Sequence, residues 1–247
     1  MRITKTWDID LLLRSYLFIP KSLFRKTVRR CGKAITGKTL DIGAGWKPFV
    51  SYFAHTEYIT LDNSSECAPD VIGDVLRLPF ADETFDSIVC LEVLEHVPDT
   101  RLALAEMSRV LKGGGVLLLS APMHWPLHYE PKDYFRFTKY GFYEILKNDF
   151  SVTRTEKIGG LFSFLGARIA EKSALALYRL FPFFPRKARY ILGHIANIPL
   201  SLFFYAISLP LDLLFPEDAI SWLVIARKHH APNAAKAVSR ASVRLPE

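Results

Sequence analysis

Short apolar runs alternate with longer amphipathic stretches through most of this chain. Apolar runs bounded by turn residues are typical of buried strands, and strands separated by helical segments imply crossover connections and a parallel sheet. The pattern therefore predicts an α/β fold. The predicted strands cover residues 39–42, 58–61, 71–72, 87–91, 116–120, 150–158 and 222–228, and two of the predicted helices cover residues 99–111 and 138–149.

Proline and glycine predict where the helices break or end. Residues 8–35 cluster apolar positions between basic ones, and we expect Pro20 to divide them into two helices because proline lacks a backbone N–H donor. Residues 99–111 place apolar side chains such as Leu102 on one helix face. The glycines at residues 113–115 are expected to end that helix in the left-handed conformation.

Residues 159–216 form an unusually long and apolar connection between two predicted strands. Residues 191–211 contain no Lys, Arg, Asp or Glu and are long enough to cross a membrane. Pro199 and Pro210 interrupt this run, and a core strand follows it, which argues against a simple crossing. Two interpretations stay open: a helical pair that dips into one leaflet or lies on it, or a helical pair that roofs an apolar substrate pocket.

Charge is distributed unevenly along the 247 residues, half of which are hydrophobic and suit one globular domain. Residues 1–38 carry a net charge of +8 and residues 227–247 a net charge of +4, so the body between them is −5 within a total of +7. This distribution argues against a nucleic-acid-binding face and favours basic ends that contact an anionic membrane or an acidic substrate. The alternative is that the basic ends only keep the chain soluble.

Cysteine usage and segment composition predict the compartment and the domain organisation. Three scattered cysteines without a Cys-x-x-Cys pair predict no disulfide framework and no metal site, and they fit a reducing cytoplasm. No signal-peptide pattern is apparent. We expect a basic helical segment at residues 1–37, a domain at residues 38–230 that contains the insertion 159–216, and a disordered basic tail at residues 231–247.

The turn Gly43-Ala44-Gly45 follows the first predicted strand. Glycine at 43 permits a tight turn, and glycine at 45 lets a ligand approach the backbone. A helix is expected directly afterwards, with unpaired N–H groups at its start. Pro48 stands where a dinucleotide-binding fingerprint has its third glycine. Asp62 ends the second strand, where an acid accepts hydrogen bonds from ribose hydroxyls.

The third and fourth strands add a second part to this site. Asp74 follows the third strand and is placed to accept a hydrogen bond from an adenine amino group, while Val75 and Leu76 flank the ring. The fourth strand ends at Leu91 and Glu92. Ligands of such sheets bind beyond the carboxyl ends of the strands, so these residues are expected at one site.

Taken in order, these motifs resemble those of class I S-adenosylmethionine-dependent methyltransferases, and are most similar to small-molecule enzymes of the ubiquinone/menaquinone type. The resemblance covers residues 38–158 and the last strand. It implies a Rossmann-like seven-stranded sheet, with helices on both faces and an antiparallel last strand beside the fifth, and S-adenosylmethionine as cofactor. The motifs are residues 40–45, Asp62, Gly73-Asp74, Leu78-Pro79-Phe80, Phe85-Asp86, 92–97 and 109–115.

The resemblance also implies a role for each cofactor residue. Asp41 and the two glycines would face the methionine part, Asp62 the ribose and Asp74 the adenine, and Glu92 would form the floor of the site. The full set of predicted cofactor-binding residues is Asp41, Gly43, Ala44, Gly45, Asp62, Asn63, Asp74, Val75, Leu76, Leu91 and Glu92.

Residues 124–138 form a dense polar and aromatic cluster directly after the fifth strand. The cluster resembles a pattern in methyltransferases that accompany surface-polysaccharide and lipid-linked glycan synthesis. His128 is the first candidate for a general base, with Asp133 as its orienter or as a hydroxyl acceptor. Arg136 is a candidate clamp for a phosphate or carboxylate. Two tyrosines, Tyr129 and Tyr134, would stack on a sugar or ring.

A structural interpretation of the same cluster also stays open. Asp133 would then cap the helix near Thr138, and Arg136 would pair with Glu130. His96, which follows the fourth strand, is expected to hold the loop by a backbone hydrogen bond rather than to touch substrate.

The leading functional hypothesis is O-methylation of a glycan or lipid-linked acceptor by a cytoplasmic enzyme at the inner membrane face. Contact with the membrane would involve residues 1–38 and 191–211. A quinone-like lipid is the alternative acceptor, for which a base is less needed. An NAD-dependent oxidoreductase is disfavoured by the missing third glycine, and a scaffolding protein by the intact acids Asp41, Asp62 and Asp74.

Overall fold

The computed structural model describes residues 17–180 and 182–230, and its centre is a seven-stranded sheet. The strands are β1 (Thr36–Ile42), β2 (Ala54–Asp62), β3 (Val71–Ile72), β4 (Phe85–Leu91), β5 (Leu111–Pro122), β6 (Phe150–Ile158) and β7 (Ser221–Lys228). Their order in the sheet is β3-β2-β1-β4-β5-β7-β6. β7 pairs antiparallel with β5 and β6, and the other neighbouring pairs are parallel, which confirms the predicted sheet.

Helices cover both faces of the sheet, as predicted. The helices are α1 (Phe18–Cys31), α2 (Thr100–Val110), α3 (Lys139–Leu146), α4 (Leu161–Leu180) and α5 (Arg186–Asp212). On one face, α2 and α3 bury side chains such as Met107 and Phe142 against the apolar residues of the strands. On the other face, α1 and α4 bury side chains such as Ile19 and Ala167 against β4, β5 and β7.

The helix expected after Gly45 was a wrong prediction. Residues 46–53, all of which the structure describes, contain turns and the short 3-10 helix Val50–Tyr52. Lys47 adopts a left-handed φ of 55°, which breaks helical geometry, and the next residue is a proline. α1 covers this part of the sheet instead, and the rings of Phe24 and Phe49 lie 5.7 Å apart.

The glycines at residues 113–115 do not cap a helix. α2 ends at Val110, and Leu111 is already extended and begins β5, so the three glycines lie inside that strand. The start of α2 agrees with its sequence, because Asp99 Oδ1 accepts the N–H of Leu102 at 2.9 Å. Leu102 itself is exposed rather than inward, since its position in the first turn lies off the buried face.

Pro20 lies in the first turn of α1, where backbone N–H groups have no intrahelical acceptor and proline costs little. The division into two helices stays a prediction. The rest of the predicted helix, before residue 17, and the predicted tail at residues 231–247 lie outside the described residues. α3 begins as predicted, after Thr138, and ends earlier, at Leu146.

The insertion between β6 and β7 is an α-helical hairpin of α4 and α5. Where the helices pack, a Cβ added at Gly193 would lie 3.2 Å from the carbonyl oxygen of Ala174, so the backbones approach closely. The carboxylate of Asp212 accepts hydrogen bonds from the backbone N–H groups of Phe162 and Ser163 and caps the start of α4. α5 continues through Pro199 and Pro210.

The polarity of this hairpin is inverted relative to a soluble helical pair. Polar residues, Ser163, His194, Asn197, Ser201 and Ser208 among them, are buried between or beneath the helices. Large apolar residues are exposed, namely Leu165, Ile169, Leu175, Phe183, Ile191, Leu192, Ile195, Leu202, Phe203 and Ile207. Among the described residues, α5 is the one helix long and apolar enough to cross a membrane by length and composition.

Candidate active site

The turn after β1 joins the ends of the first two strands. The Gly43 N–H donates to the carbonyl of Leu61 at 2.8 Å, and the Gly45 N–H donates to Asp62 Oδ2 at 3.3 Å. Both glycines have positive φ, 68° and 49°. A Cβ at Gly43 would lie 2.4 Å from Val93 Cγ2, whereas a Cβ at Gly45 would meet no atom of the described chain within 4 Å. The turn is therefore tight on one side and open on the other, as a cradle for a ligand requires.

Asp62 and Asp74 lie at the neighbouring strand ends. Asp62 is half-buried and also accepts the N–H of Ser64 at 3.1 Å, and the following Asn63 is exposed. Asp74 is exposed and accepts the N–H of Leu76 at 2.9 Å. The Gly73 N–H donates to the Asp62 carbonyl at 3.0 Å, so the predicted ribose and adenine residues are linked through the backbone.

Asp41 is buried at the end of β1 beneath the turn. Tyr58 Oη donates to Asp41 Oδ2 at 2.6 Å. Burial raises the pKa of Asp41 to about 7, against the opposing effect of the Tyr58 hydrogen bond. A positive charge nearby, such as the ammonium group of a bound methionine moiety, would favour the ionised carboxylate.

Glu92 lies at the end of β4 with a left-handed φ of 55°. Its Oε1 accepts from Ser120 Oγ at 2.9 Å, and its Oε2 accepts from Ser221 Oγ at 3.2 Å, so β5 and β7 both hold the carboxylate. Burial raises the pKa of Glu92 to about 7, and the two serine hydroxyls oppose that shift. A carboxyl group with such a pKa can exchange a proton near neutral pH.

A cavity of about 490 Å³ opens beside Glu92. It lies between α1, residues 46–51 and the ends of β6 and β7, and Lys21, Arg25 and Lys47 contribute basic groups to its lining. The rest of the wall is largely apolar and includes Phe24, Trp46, Phe49, Trp125, Ile158 and Ile220. Glu92 is the one acidic side chain among the described residues that line it.

Arg136 and Asp133 form a bidentate ion pair with N–O distances of 2.7 and 2.8 Å. The Asp133 side chain is 1% exposed, and Arg136 holds its pKa well below the usual range. Arg136 also donates to the carbonyl oxygens of Trp125, Pro126 and Phe135. All five N–H groups of the guanidinium therefore have partners within the described chain, and the group braces the loop.

This ion pair differs from the structural interpretation of the sequence as well. Arg136 pairs with Asp133 rather than with Glu130. Thr138, not Asp133, caps α3, because its Oγ1 accepts the N–H of Gly141 at 3.0 Å. Tyr129 and Tyr134 are exposed, as stacking on a ligand requires.

His128 and His96 meet at the edge of this loop, with ring centroids 4.7 Å apart. The backbone N–H of His128 donates to Asp133 Oδ2 at 2.9 Å, and the ring Nδ1 of His128 lies 3.3 Å from the same oxygen. His96 Nδ1 lies 2.6 Å from the Lys132 carbonyl oxygen, which agrees with the backbone contact expected for His96. Within the described chain, Glu92 lines the cavity and His128 does not.

Glu95 is a residue that the sequence analysis missed. Its side chain is 0% exposed, and neither carboxylate oxygen has a hydrogen-bond partner among the described residues. Burial, together with the nearby charge of Glu92, raises the pKa of Glu95 to about 9. The sequence signal was the pair Glu95-His96 after β4. The third member, His128, comes from another segment, so spacing alone could not assemble the group.

A seven-stranded sheet of this order, with a glycine turn after β1 and acids after β2 and β4, defines the class I methyltransferase fold. Residues 40–119 match the family model described as a methyltransferase domain. The chain therefore carries a class I S-adenosylmethionine-dependent methyltransferase domain, and S-adenosylmethionine is its cofactor, as the sequence predicted. The open side of the Gly45 turn fits this cofactor.

Curated relatives match parts of this domain. Demethylmenaquinone methyltransferase of Mycolicibacterium paratuberculosis is 49% identical over 51 residues, 21% of this chain and 22% of the relative. The Corynebacterium urealyticum enzyme of the same name is 33% identical over 129 residues, 48% of this chain and 55% of the relative. Methyltransferase GfsG of Streptomyces halstedii is 41% identical over 102 residues, 34% and 37% of the two chains. The chain thus spans between about a fifth and just over half of these relatives.

Solved structures share the fold at low identity. The cyclase SpnF aligns with a TM-score of 0.53 at 18% identity, over 83% of this chain and 80% of its own. A Haloferax volcanii protein solved with the Trm112 methyltransferase activator aligns with a TM-score of 0.54 at 14% identity, over 93% and 98% of the two chains. Likeness at this identity concerns the fold, and function has to be argued from the site.

Proposed function

We propose that this protein transfers the methyl group of S-adenosylmethionine to an oxygen atom of a lipid-borne acceptor at a membrane surface. The observation that carries the proposal is the largely apolar cavity with Glu92 as its one acidic side chain. The cavity would hold the apolar part of the acceptor, and Glu92 would meet the acceptor's hydroxyl group. The turn at residues 43–45 would hold the methionine part of the cofactor on the other side of Glu92.

Methyl transfer from a sulfonium depends mainly on alignment and exclusion of water. A neutral hydroxyl group also needs a proton acceptor. In our proposal the Glu92 carboxylate takes the hydroxyl proton while the acceptor oxygen attacks the methyl carbon and the carbon–sulfur bond breaks. The products are the methyl ether, S-adenosylhomocysteine and protonated Glu92. The geometry favours Glu92 over His128 for this role because Glu92 lines the cavity.

Two acceptor classes have support. A quinone-like ring on an apolar chain is supported by the largely apolar wall, and the relatives named demethylmenaquinone methyltransferases support the same class. A lipid-linked glycan is supported by the exposed Tyr129 and Tyr134, because tyrosine rings stack on sugars. We favour a quinone-like acceptor whose ring carries a hydroxyl group, since its ring faces and its chain match the largely apolar wall.

The membrane part of the proposal is supported by the inverted polarity of the α4–α5 hairpin. Exposed apolar surfaces of this extent mark interaction sites, and close packing through small residues is common between helices in lipid. None of the described cavity-lining residues belongs to α5, which disfavours a roof over the pocket. We therefore infer that the hairpin lies in one leaflet, at the cytoplasmic face.

α1 would connect the membrane with the cavity. The rings of Phe18 on α1 and Tyr205 on α5 lie 5.5 Å apart, so α1 packs on the hairpin. Pro20 and Phe24 of the same helix line the cavity. An acceptor in the leaflet beside the hairpin would therefore reach Glu92 along α1 without entering bulk water.

The proposal is tested by incubating the full chain with methyl-labelled S-adenosylmethionine and separated lipid and aqueous cell fractions. We expect label in the lipid fraction and a large loss of labelling with the Glu92→Gln variant. Mild acid that releases glycans from lipid carriers separates the two acceptor classes: label that stays with an apolar ring supports the quinone-like acceptor. Label found only in the aqueous fraction would refute the lipid-borne acceptor.

A further inference from the structure

Glu95 is the most unusual side chain of the described structure. Its carboxylate is fully buried, yet neither oxygen has a hydrogen-bond partner in the described chain. A buried carboxyl group without partners is costly in its ionised form, and the usual compensations are protonation, a paired cation or a bound metal ion. The cofactor residues and the Glu92 base described above do not use Glu95, so its burial needs another explanation.

Two histidine rings face this carboxylate. One ligand atom from each of Glu95, His96 and His128 lies within 4.8 Å of those of the other two. His96 Nε2 lies 3.8 Å from Glu95 Oε1. Small side-chain rotations would bring the three atoms to the distances of about 2.0–2.2 Å that zinc takes from nitrogen and carboxylate oxygen.

The hydrogen bonds of both rings leave the Nε2 atoms available. His96 Nδ1 lies 2.6 Å from the Lys132 carbonyl oxygen, an acceptor, so this nitrogen carries the proton. His128 Nδ1 lies 3.2 Å from the Pro126 carbonyl oxygen and 3.3 Å from Asp133 Oδ2, both acceptors. A carbonyl or carboxylate behind the ring is the arrangement that orients metal-binding histidines in proteins.

We propose that Glu95, His96 and His128 form a binding site for a divalent transition-metal ion of the zinc type. Two imidazole nitrogens and one carboxylate suit zinc and its neighbours, whereas magnesium and calcium prefer oxygen ligands. Three protein ligands leave a coordination position open. In the free protein a water molecule would fill that position. Binding of the ion does not depend on the proposed function.

The test measures metal binding in the absence of cofactor and acceptor. The full chain is stripped with a chelator, and zinc binding is followed by calorimetry, with magnesium as the contrasting ion. Cobalt in place of zinc adds an absorption spectrum that reports a nitrogen and oxygen ligand set. We expect one tight zinc site per chain, at least tenfold tighter than magnesium, and a rise in melting temperature with zinc.

Variants locate the ion. Glu95→Gln and His128→Gln should each weaken zinc binding at least tenfold, and Asp133→Asn, which acts behind His128, should weaken it about 10- to 100-fold. His124→Gln is the matched control, because its ring lies in the same loop but pairs with Asp218 at 3.3 Å. If Glu95→Gln or His128→Gln fails to fold by circular dichroism, His96→Gln, which removes the third ligand, takes its place.

Two results would overturn the site. One is wild-type protein that binds zinc no better than magnesium. The other is zinc affinity that falls equally in His124→Gln and Glu95→Gln, which would place the ion elsewhere. Because these measurements involve no methyl transfer, the site can be refuted while the proposed function stands, and the reverse also holds.

Discussion

Glu92 Oε2 and Ser221 Oγ lie 3.2 Å apart although the two residues are separated by 129 positions in the chain. Ser221 is the first residue of β7, which returns to the sheet after the α4–α5 hairpin. Ser120 at the end of β5 holds the other carboxylate oxygen. The orientation of Glu92 therefore depends on the insertion of β7 beside β5, and this dependence leads to the first two predictions.

Replacing Glu92 by glutamine should lower kcat by about 10²- to 10⁴-fold, the contribution that a positioned general base makes. Glutamine keeps the shape, and its one oxygen can still accept from one serine hydroxyl while its amide group donates to the other, but it cannot accept the proton. Calorimetry should find S-adenosylmethionine binding retained, which separates catalysis from cofactor affinity. A variant with near-normal kcat would show that the acceptor needs no base, as a carbon nucleophile would not.

The pH dependence of kcat should report the ionisation of Glu92. Because the carboxylate is the active form and its pKa is about 7, the rate should rise through about pH 7 and then level. Ser221→Ala removes a hydrogen bond that favours the charged form, so it should move the midpoint to higher pH. Arg136 and Glu95 also act on this carboxylate and are unchanged in that variant. A midpoint unaffected by Ser221→Ala would assign the titration to another group.

Asp41 should make the free protein less stable as the pH rises. Its pKa is about 7 in the folded state against 3.8 in the unfolded chain, so the folded state holds the extra proton between these values. The contribution of this group to the free energy of unfolding is therefore greatest below about pH 4. It falls by roughly 4 kcal/mol as the pH rises to about 7 and does not change above that. Burial is the main cause of the raised pKa, and Tyr58, Asp62 and Lys47, which face the carboxyl group, modify the size of the shift.

The Asp41→Asn variant tests this prediction by urea unfolding across the same pH window. Asparagine keeps an oxygen that accepts the Tyr58 hydroxyl but does not titrate. Its stability relative to the native protein should rise with pH up to about 7. If the two unfolding curves stay a constant distance apart at every pH, Asp41 is not the titrating group.

The two glycines of the turn should respond differently to alanine. Gly43→Ala places a Cβ 2.4 Å from Val93 at a positive φ, and should destabilise the fold by about 1–3 kcal/mol. Gly45→Ala also has a positive φ but meets no atom of the described chain, so it should cost about 1 kcal/mol in stability. Its main effect should be weaker binding of S-adenosylmethionine, measured by calorimetry. Equal cofactor affinity in Gly45→Ala and native protein would show that the cofactor does not approach the backbone at Gly45.

Membrane contact should depend on the outer face of α5. The side chains of Leu202 and Phe203 are 49% and 57% exposed, and changing both to glutamate should cut flotation with anionic vesicles at least tenfold. Changing Leu102 and Tyr140 to glutamate is the matched control, since these residues of α2 and α3 are 46% and 58% exposed. Salt at about 1 M should release a purely electrostatic contact but not the hairpin. Equal flotation of both variants would refute insertion of α5.

The sequence was sufficient to predict the strands and to place the candidate cofactor residues at their ends. Alternation of strands with helical segments implies that parallel strands end at one edge, and this places Gly43, Asp62 and Glu92 near one another. The absence of a helix after Gly45 could not be predicted in the same way. It results from the left-handed Lys47 and from packing of Phe49 against α1, a contact with a distant segment.

The loop after β5 shows a second limit of sequence reasoning. Composition identified His128, Asp133 and Arg136 as a polar group, and the structure does bring them together. Which hydrogen-bond donors stay available for a ligand depends on the geometry of the loop. The N–H groups of Arg136 donate to Asp133 and to backbone carbonyl oxygens. Glu95 could not be identified from composition, because what distinguishes it is burial without hydrogen-bond partners among the described residues.

The hairpin leaves the sheet after Ile158 and returns at Ser221, and these two residues pair in register on β6 and β7. Its entry and exit therefore coincide, and a short turn could join the same two strands. The hairpin is thus a topologically neutral module. The outer surface of the hairpin can therefore change without altering the strand pairing, as long as α4 still covers the sheet, and the Glu92–Ser221 contact then persists.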